Sequence, residues 1–223
     1  MREMYEEDDD ESAEEGSALL TVVQGTTADL GPYRVGLMNV LDGPGRGGKA
    51  PRAQLSVWAH DPAVAGLPSS VKVGPTIMYL GRGDIAPVGG ALRRVAEVVR
   101  RPASGEPDYM VMDMRPLDLP GLAPAEAAYV VTLEGKGVLE GHNVEVLEIK
   151  GGGAAPPSAG LNVWPGNFAK SDVDPKLVRA LEVRGGETLT LGDARFRVAS
   201  VVAPDPARGL VGWIEISLRP EGR

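Results

Sequence analysis

Hydrophobic and polar residues alternate with a period of two over much of the chain. Glu187 to Leu191 reads E-T-L-T-L, and Arg195 to Val198 continues the alternation after Gly192 and Asp193. Side chains two positions apart share one face of a strand, so this pattern predicts β-strands, and the Gly-Asp pair predicts a hairpin turn between them. Glycine and proline recur about every ten residues, which favours short strands over helices.

Helical signals are confined to two short stretches. Ala123 to Ala128 and Pro175 to Arg184 each have room for a turn or two of helix, and Asp172 or Asp174 could cap the second stretch. The expected fold class is therefore all-β.

The sequence also repeats itself once. The run L-S-V-W from Leu55 matches L-N-V-W from Leu161, and R-V-A-E-V-V from Arg94 matches R-V-A-S-V-V from Arg197. Further matches follow in the same order, and each half closes with Leu or Met followed by Arg-Pro. This order predicts two tandem, internally duplicated modules, each a small antiparallel sandwich or barrel of about six or seven strands.

The expected domain boundaries follow from the repeat. Residues 1–17 form an acidic arm, residues 18–116 the first β module, residues 117–127 a linker with two prolines and a glycine, and residues 128–220 the second module. The main difference between the copies is expected at Gly81 to Gly90, which looks like a longer loop in the first module.

Composition narrows the possible partners. The net charge of −8 argues against binding to nucleic acid or to an anionic membrane, because both need a basic face. The chain has no cysteine, which excludes disulfides, thiolate zinc sites and cysteine nucleophiles. No apolar run approaches the ~20 residues of a membrane helix, so a cytoplasmic location is expected. The abundance of Ala, Gly, Arg and Pro suggests a bacterial source.

The acidic arm has two possible roles. Nine of the first 17 residues are Asp or Glu, and such a segment buries too little apolar surface to offset the entropy of ordering. It either keeps the protein soluble or docks on the basic surface of a partner, in which case binding would weaken with salt.

Residues with catalytic potential have ordinary structural interpretations. The loop Gly43 to Lys49 fits the spacing of a phosphate-binding loop, but Ala50 replaces the required Ser or Thr and a strand follows where a helix is needed. His60 and His142 are the only imidazoles, and no serine can be assigned to either. Trp58 and Trp164 occupy corresponding positions in the repeat, and they are expected to pack on their own modules, as is Trp213 in the last strand. No catalytic residue, cofactor or metal site is predicted.

The leading hypothesis is a non-enzymatic protein-binding module: an adaptor, inhibitor or immunity-type partner that acts through loops or strand edges of a duplicated β scaffold. The candidate partner-binding residues are Asp8, Asp9, Asp10, Arg82, Asp84 and Ile85. One alternative is a hydrolase or small-ligand-binding protein with a site in the cleft between the modules. The other alternative is a structural subunit of a larger assembly. The sequence leaves the oligomeric state open.

Overall fold

The computed structural model describes residues 18–42, 50–60, 63, 66–101, 105–122, 128–153, 155–166 and 169–218. These residues form sixteen β-strands and two short 3-10 helices, and every pairing between named strands is antiparallel. The prediction of an all-β fold is confirmed. In the described part of the chain, no helix combines the length and hydropathy that crossing a bilayer requires.

The first half of the chain supplies eight strands. Their bounds are β1 Leu19–Val23, β2 Thr27–Leu30, β3 Tyr33–Asp42, β4 Pro51–Ala59, β5 Val73–Gly81, β6 Ile85–Val88, β7 Ala91–Val99 and β8 Tyr109–Asp113.

The second half supplies eight more strands. Their bounds are β9 Ala128–Thr132, β10 Lys136–Leu139, β11 His142–Gly152, β12 Ala155–Pro165, β13 Arg179–Arg184, β14 Thr188–Leu191, β15 Ala194–Val202 and β16 Trp213–Ser217. The 3-10 helices Lys170–Asp172 and Pro175–Leu177 lie between β12 and β13.

The strands form three sheets. One sheet has eight strands in the order β13-β12-β11-β10-β5-β4-β3-β2, so it runs through both halves. The two other sheets have four strands each, in the orders β1-β8-β7-β6 and β14-β15-β16-β9. Each half therefore packs one four-stranded sheet against its own part of the eight-stranded sheet, as in a β-sandwich.

Alternation along the strands explains which residues enter the core. In β4, Ala53, Leu55 and Val57 are buried while their neighbours face outward. The predicted hairpin is confirmed, since Leu191 pairs with Ala194 across the turn at Gly192 and Asp193. The period-two pattern thus sets both the register and the buried face.

Buried apolar side chains form three clusters. The first fills the first half and the second fills the second half. The third lies between the halves and joins Ile85 and Leu92 to Leu210 and Trp213. The clusters inside the halves contain, among others, Leu37, Leu55, Met110 and Met112, and Val146, Leu161, Phe196 and Ile214.

Pairing of β5 with β10 joins the two halves into one sheet. Tyr129 stabilises this pairing. Its hydroxyl donates a hydrogen bond of 3.0 Å to the carbonyl oxygen of Val138 in β10. Burial raises the pKa of that hydroxyl, so it remains a donor. Gly137 allows the close approach: a Cβ there would lie 2.8 Å from a carbon of the Tyr129 ring.

The described part of the linker is packed against the protein. The side chains of Leu117, Leu119 and Leu122 pack against the third cluster. The backbone N–H of Leu117 donates to the carbonyl oxygen of Leu92 at 2.9 Å. We call Leu117–Leu122 the strap, since it lies across the contact between the halves. The strap therefore adds apolar contacts and a backbone hydrogen bond to the junction between the halves.

Two sequence expectations need correction. The helical stretch from Pro175 is limited to Pro175–Leu177, where Asp174 accepts from the backbone N–H of Lys176 as predicted for a cap; Arg179–Arg184 is strand β13. The segment Gly81 to Gly90 is not a long loop, because it contains β6 between two turns. Short edge strands have too few residues for their alternation to stand out.

The buried hydroxyl of Thr132 leads to a stability prediction. Thr132 is 1% exposed, and its hydroxyl has no hydrogen-bond partner among the described residues. Replacing a lone buried hydroxyl by a methyl of similar shape removes the penalty for keeping it out of water. We expect Thr132→Val to raise the free energy of unfolding by about 1 kcal/mol in urea titrations. The exposed Thr190→Val is the matched control, and a loss of stability in Thr132→Val would contradict the interpretation.

Candidate functional site

A groove opens where the two halves meet. It has a volume of about 390 Å³ and combines residues from both halves, among them Pro51, Arg52, Arg82, Asp84, Glu134 and Leu210. We call it the seam groove. Its walls come from the ends of β4 and β5, the turn after β9, and the turn before β16.

Arg52 fixes one wall of the seam groove. Its guanidinium lies 2.6 Å from the carboxylate of Glu134 in the other half and also donates to the carbonyl oxygen of Tyr79 at 2.7 Å. The same group lies 5.8 Å from the centre of the Tyr79 ring, within the range of a cation–π contact. Arg52 therefore ties the halves together at the groove and is largely shielded from solvent.

The turn Gly81 to Asp84 forms the neighbouring part of the wall, since Gly81 pairs with Arg52 between β4 and β5. The carboxylate of Asp84 accepts from the backbone N–H of Gly81 at 2.7 Å, which holds the turn closed. Arg82 is exposed at the tip of this turn. Two of the residues predicted to bind a partner, Arg82 and Asp84, therefore lie together at the groove.

Ile85 does not belong to this surface. It is 2% exposed and is part of the third cluster. Its backbone N–H donates to the carbonyl oxygen of Gly209 at 2.8 Å, and its carbonyl oxygen accepts from the backbone N–H of Val211 at 3.0 Å. The residue thus joins the halves from inside, and its side chain is not available to a partner. Asp8, Asp9 and Asp10 lie outside the described residues, as does the glycine-rich loop Gly43 to Lys49.

A second cavity lies on the other side of the turn Asp205 to Leu210. It has a volume of about 500 Å³ and is lined by the strap residues Gly121 and Leu122 together with Ser200, Asp205, Arg208 and Glu215. We call it the strap cavity. The carboxylate of Asp205 accepts hydrogen bonds within its own turn, from the backbone N–H groups of Ala207 at 3.1 Å and Arg208 at 3.3 Å.

Glu215 is the buried charged residue of the strap cavity. It is 5% exposed, and its Oε1 atom accepts from the indole N–H of Trp213 at 2.9 Å. Ser200 lies opposite Glu215 on the neighbouring strand, and its hydroxyl has no hydrogen-bond partner among the described residues. Sequence reasoning missed this group, although β16 reads W-I-E-I-S and so places Trp213 and Glu215 on one face.

The two histidines lie apart from both cavities. His60 follows β4 as an exposed turn residue, with its Nδ1 atom 4.0 Å from Asp29. His142 opens β11, and its Nδ1 atom lies 2.9 Å from the carbonyl oxygen of Glu140. Among the described residues, no group of three or more His, Asp or Glu side chains is arranged to hold a metal ion.

The tryptophans pack as structural residues. Trp164 and Trp213 are 1% and 0% exposed, and the partly exposed Trp58 packs over Gly36 of β3. Trp213 departs from the expectation that it packs on its own module, because it faces the first half through the third cluster.

Comparisons with known proteins gave no match: no family model fits the chain, and neither a curated protein nor a solved structure is significantly similar to it.

Proposed function

We propose that this chain is a non-enzymatic protein-binding module that recognises another protein through the seam groove. The observation that carries the proposal is that both halves build the groove and fix its walls with the Arg52–Glu134 and Asp84–Gly81 contacts. A wall that is ordered before binding loses little entropy when a partner docks. The groove also carries charges of both signs, which favours a selective protein surface.

Charge suggests the character of the partner. The chain has a net charge of −8, and the run Asp8 to Asp10 adds to an acidic segment at its beginning. A partner with a basic surface would be attracted over several ångströms, and the attraction would weaken as salt is added. In this proposal the acidic segment speeds encounter, and the seam groove provides the specific contacts.

We also propose that residues 18–116 and 128–220 are duplicated modules. Strand order supports this, because β9 to β16 occupy the same places in their sheets as β1 to β8. The register shifts support it too: β3 shifts between Leu37 and Asn39, and β11 shifts between Val146 and Glu148. Matching bulges at matching positions are features that related domains share.

A turn gives an independent argument for the duplication. Gly25 has a φ of 79°, and Glu134 at the corresponding position has a φ of 62°, which is unusual for a residue with a side chain. In both turns the backbone N–H of this residue donates to a carbonyl oxygen of the facing strand. Gly25 donates to Leu37 at 2.9 Å, and Glu134 donates to Val146 at 2.8 Å. The same hydrogen bond at the same place is expected if one module was copied.

The absence of catalysis and a cytoplasmic location are part of the proposal. His60 and His142 lie in different halves, close to Asp29 and to a backbone carbonyl respectively, and among the described residues neither ring has a hydroxyl nucleophile as a hydrogen-bond partner. The lack of cysteine fits a reducing compartment.

A substitution in the seam groove tests the proposed function. Arg82 is exposed at the groove, and arginine is enriched among residues that dominate protein interfaces. We expect Arg82→Ala to reduce recovery of the partner about tenfold in pull-downs at low salt, which corresponds to ~1.4 kcal/mol. Mass spectrometry quantifies the proteins recovered by the variant relative to those recovered by the unsubstituted protein.

The matched control is Arg195→Ala, which removes an arginine that is also exposed but does not line the groove. If both variants recover the same proteins in the same amounts, the seam groove is not the binding surface.

A further inference from the structure

The second half ends in a strand edge whose counterpart in the first half is covered. In the eight-stranded sheet, β5 of the first half pairs with β10, whereas β13 is the last strand of the order. Ile77 of β5 pairs with Ser56. Ala180 of β13 pairs with Asn162, the residue that matches Ser56 in the repeat. Under the proposed duplication, the edge that accepts β10 therefore recurs on β13, where no further strand follows among the described residues.

The register shows which backbone groups of β13 face this edge. The backbone N–H of Arg184 donates to the side chain of Glu187 at 2.9 Å, so it does not point toward β12. In an antiparallel ladder, residues that bond the partner strand alternate with residues that point away from it. Ala180 and Glu182 share the orientation of Arg184, and both are exposed. β13 thus offers two N–H donors and two carbonyl acceptors to an added strand.

The surroundings of β13 favour a single added strand over a whole second copy of the chain. Beside the β5–β10 pairing, Ile85 and Leu92 bury apolar side chains against the second half. The corresponding residues of the second half, Thr188 and Arg195, are polar and exposed. A second copy docked in the same way would bury the charge of Arg195, which is unfavourable without compensation. A lone extended segment pairs with β13 in the other sheet and leaves Arg195 in solvent.

Side chains beside the edge set the chemistry of the segment. Leu181 packs against the core of the second half, so apolar residues on that side of an added strand would extend the core. Along residues 176–184, three basic side chains and one acidic side chain are exposed: Lys176, Arg179, Arg184 and Glu182. This local excess of positive charge, on a chain with a net charge of −8, favours acidic residues in the segment.

We propose that β13 binds an extended, acidic segment of another protein, which joins the eight-stranded sheet as an additional antiparallel strand. The direction follows the other pairings of this sheet, which are all antiparallel. Backbone hydrogen bonds with Ala180 and Glu182 provide the affinity. Apolar residues beside Leu181 and acidic residues near Arg184 provide the selectivity. This contact is separate from the seam groove and adds a second binding surface to the chain.

Water-exchange nuclear magnetic resonance on the whole chain measures the proposed pairing at single amides. The probe is the peptide acetyl-Glu-Thr-Val-Thr-Val-Thr-Glu-amide, which places Val on one side of a strand and Thr on the other. At about 10 mM peptide and a Kd of ~1 mM, about one chain in ten is free. We therefore expect amide exchange of Ala180 and Glu182 to slow about tenfold. Leu181, whose backbone faces β12, is the internal reference and should not change.

Two methylated peptides of identical composition test the hydrogen bonds. In the proposed pairing, the Thr side chains lie on the side of Ala180 and Glu182, so the Thr N–H groups face β13 and the Val N–H groups face solvent. N-methylation of two Thr residues should abolish the slowing of exchange, and N-methylation of two Val residues should preserve it. Replacing both Glu residues of the probe by Lys should weaken binding several-fold at low salt.

A pair of proline substitutions tests the edge from the side of the protein. Ala180→Pro removes an N–H group that points away from β12, so the fold is retained while one donor to the peptide is lost. We expect it to weaken peptide binding at least fivefold, measured at Glu182. Thr27→Pro is the matched control on β2, the opposite edge of the sheet, and should leave affinity unchanged. The N–H of Thr27 also points outward, because Leu37 donates to the carbonyl oxygen of the preceding residue, Thr26.

The outcomes decide the proposal and identify another occupant. Unchanged exchange at Ala180 and Glu182, or equal slowing with the two methylated peptides, would overturn the proposal. Slowing that grows with protein concentration in the absence of peptide would show that a second copy covers β13, which also overturns the assignment to a partner segment. Arg82 lines the seam groove and is not part of β13, so either proposal can fail while the other stands.

Discussion

Replacing Trp213 with alanine is expected to lower the free energy of unfolding by about 3–5 kcal/mol, the usual range for removing a large aromatic residue from a core. Trp213 is 0% exposed, and its cluster joins Ile85 and Leu92 of the first half to Leu210 of the second. The substitution also removes the indole N–H that donates a hydrogen bond to the buried carboxylate of Glu215, and this loss adds to the destabilisation.

Urea titration followed by two optical signals would measure this loss. The third cluster couples the halves, so the natural sequence should unfold in one transition and Trp213→Ala in two separate ones. Trp58→Ala, which shortens a partly exposed tryptophan outside the contact between the halves, is the control and should cause a smaller loss with one transition. A loss in Trp213→Ala no larger than in Trp58→Ala would show that the third cluster contributes little.

The sequence predicted the features that depend on nearby residues. Alternation in Glu187 to Val198 predicted the β14–β15 hairpin, and Asp174 predicted a helix cap. Both features involve residues within a few positions of each other, so local propensity and turn chemistry are enough to identify them.

The joining of the halves could not be predicted in this way. The pairing of β5 with β10 brings Ile77 beside Lys136, residues that are distant in the sequence, and depends on the close fit of Tyr129 over Gly137. Edge strands carry backbone groups that can pair with any other edge, so the alternation of β5 does not select its partner. The strap is a similar case, because the sequence 117–122 resembles an ordinary proline-containing linker.

The candidate site was only partly predictable. Arg82 and Asp84 stand in a polar turn, which is the setting in which binding residues are expected. Ile85 follows directly but begins a strand, and its position in the third cluster depends on Leu210 far along the chain. Glu215 was missed because alternation assigns it to the face opposite the core, and the sequence does not reveal that this second face is covered as well.

A comparison of the halves locates the contact between them. Ile85 and Leu92 on the first half are buried in the third cluster. Under the proposed duplication, the residues that correspond to Ile85 and Leu92 are Thr188 and Arg195, which are exposed. The same outer face is therefore apolar in the first half, where the second half covers it, and polar in the second half.

Exchange of residues between these corresponding positions should have strongly unequal effects. Leu92→Arg places at the first position the residue that the second half carries, but it puts an unpaired charge into the buried third cluster. We expect it to lower the free energy of unfolding by about 3–5 kcal/mol, as for an uncompensated buried charge. The reverse change, Arg195→Leu, removes an exposed charge and should alter stability by less than about 0.5 kcal/mol.

Guanidinium titrations of the two variants beside the natural sequence give the comparison directly, with size-exclusion chromatography to detect association. The two changes exchange the same residue types at corresponding positions, so strand propensity and side-chain size are matched, and the contact between the halves is the main difference. Equal and small effects would mean that Leu92 does not lie in a buried contact in solution. A large loss confined to Leu92→Arg would place the energetic link between the halves at this face, where the strap, β6 and Trp213 meet.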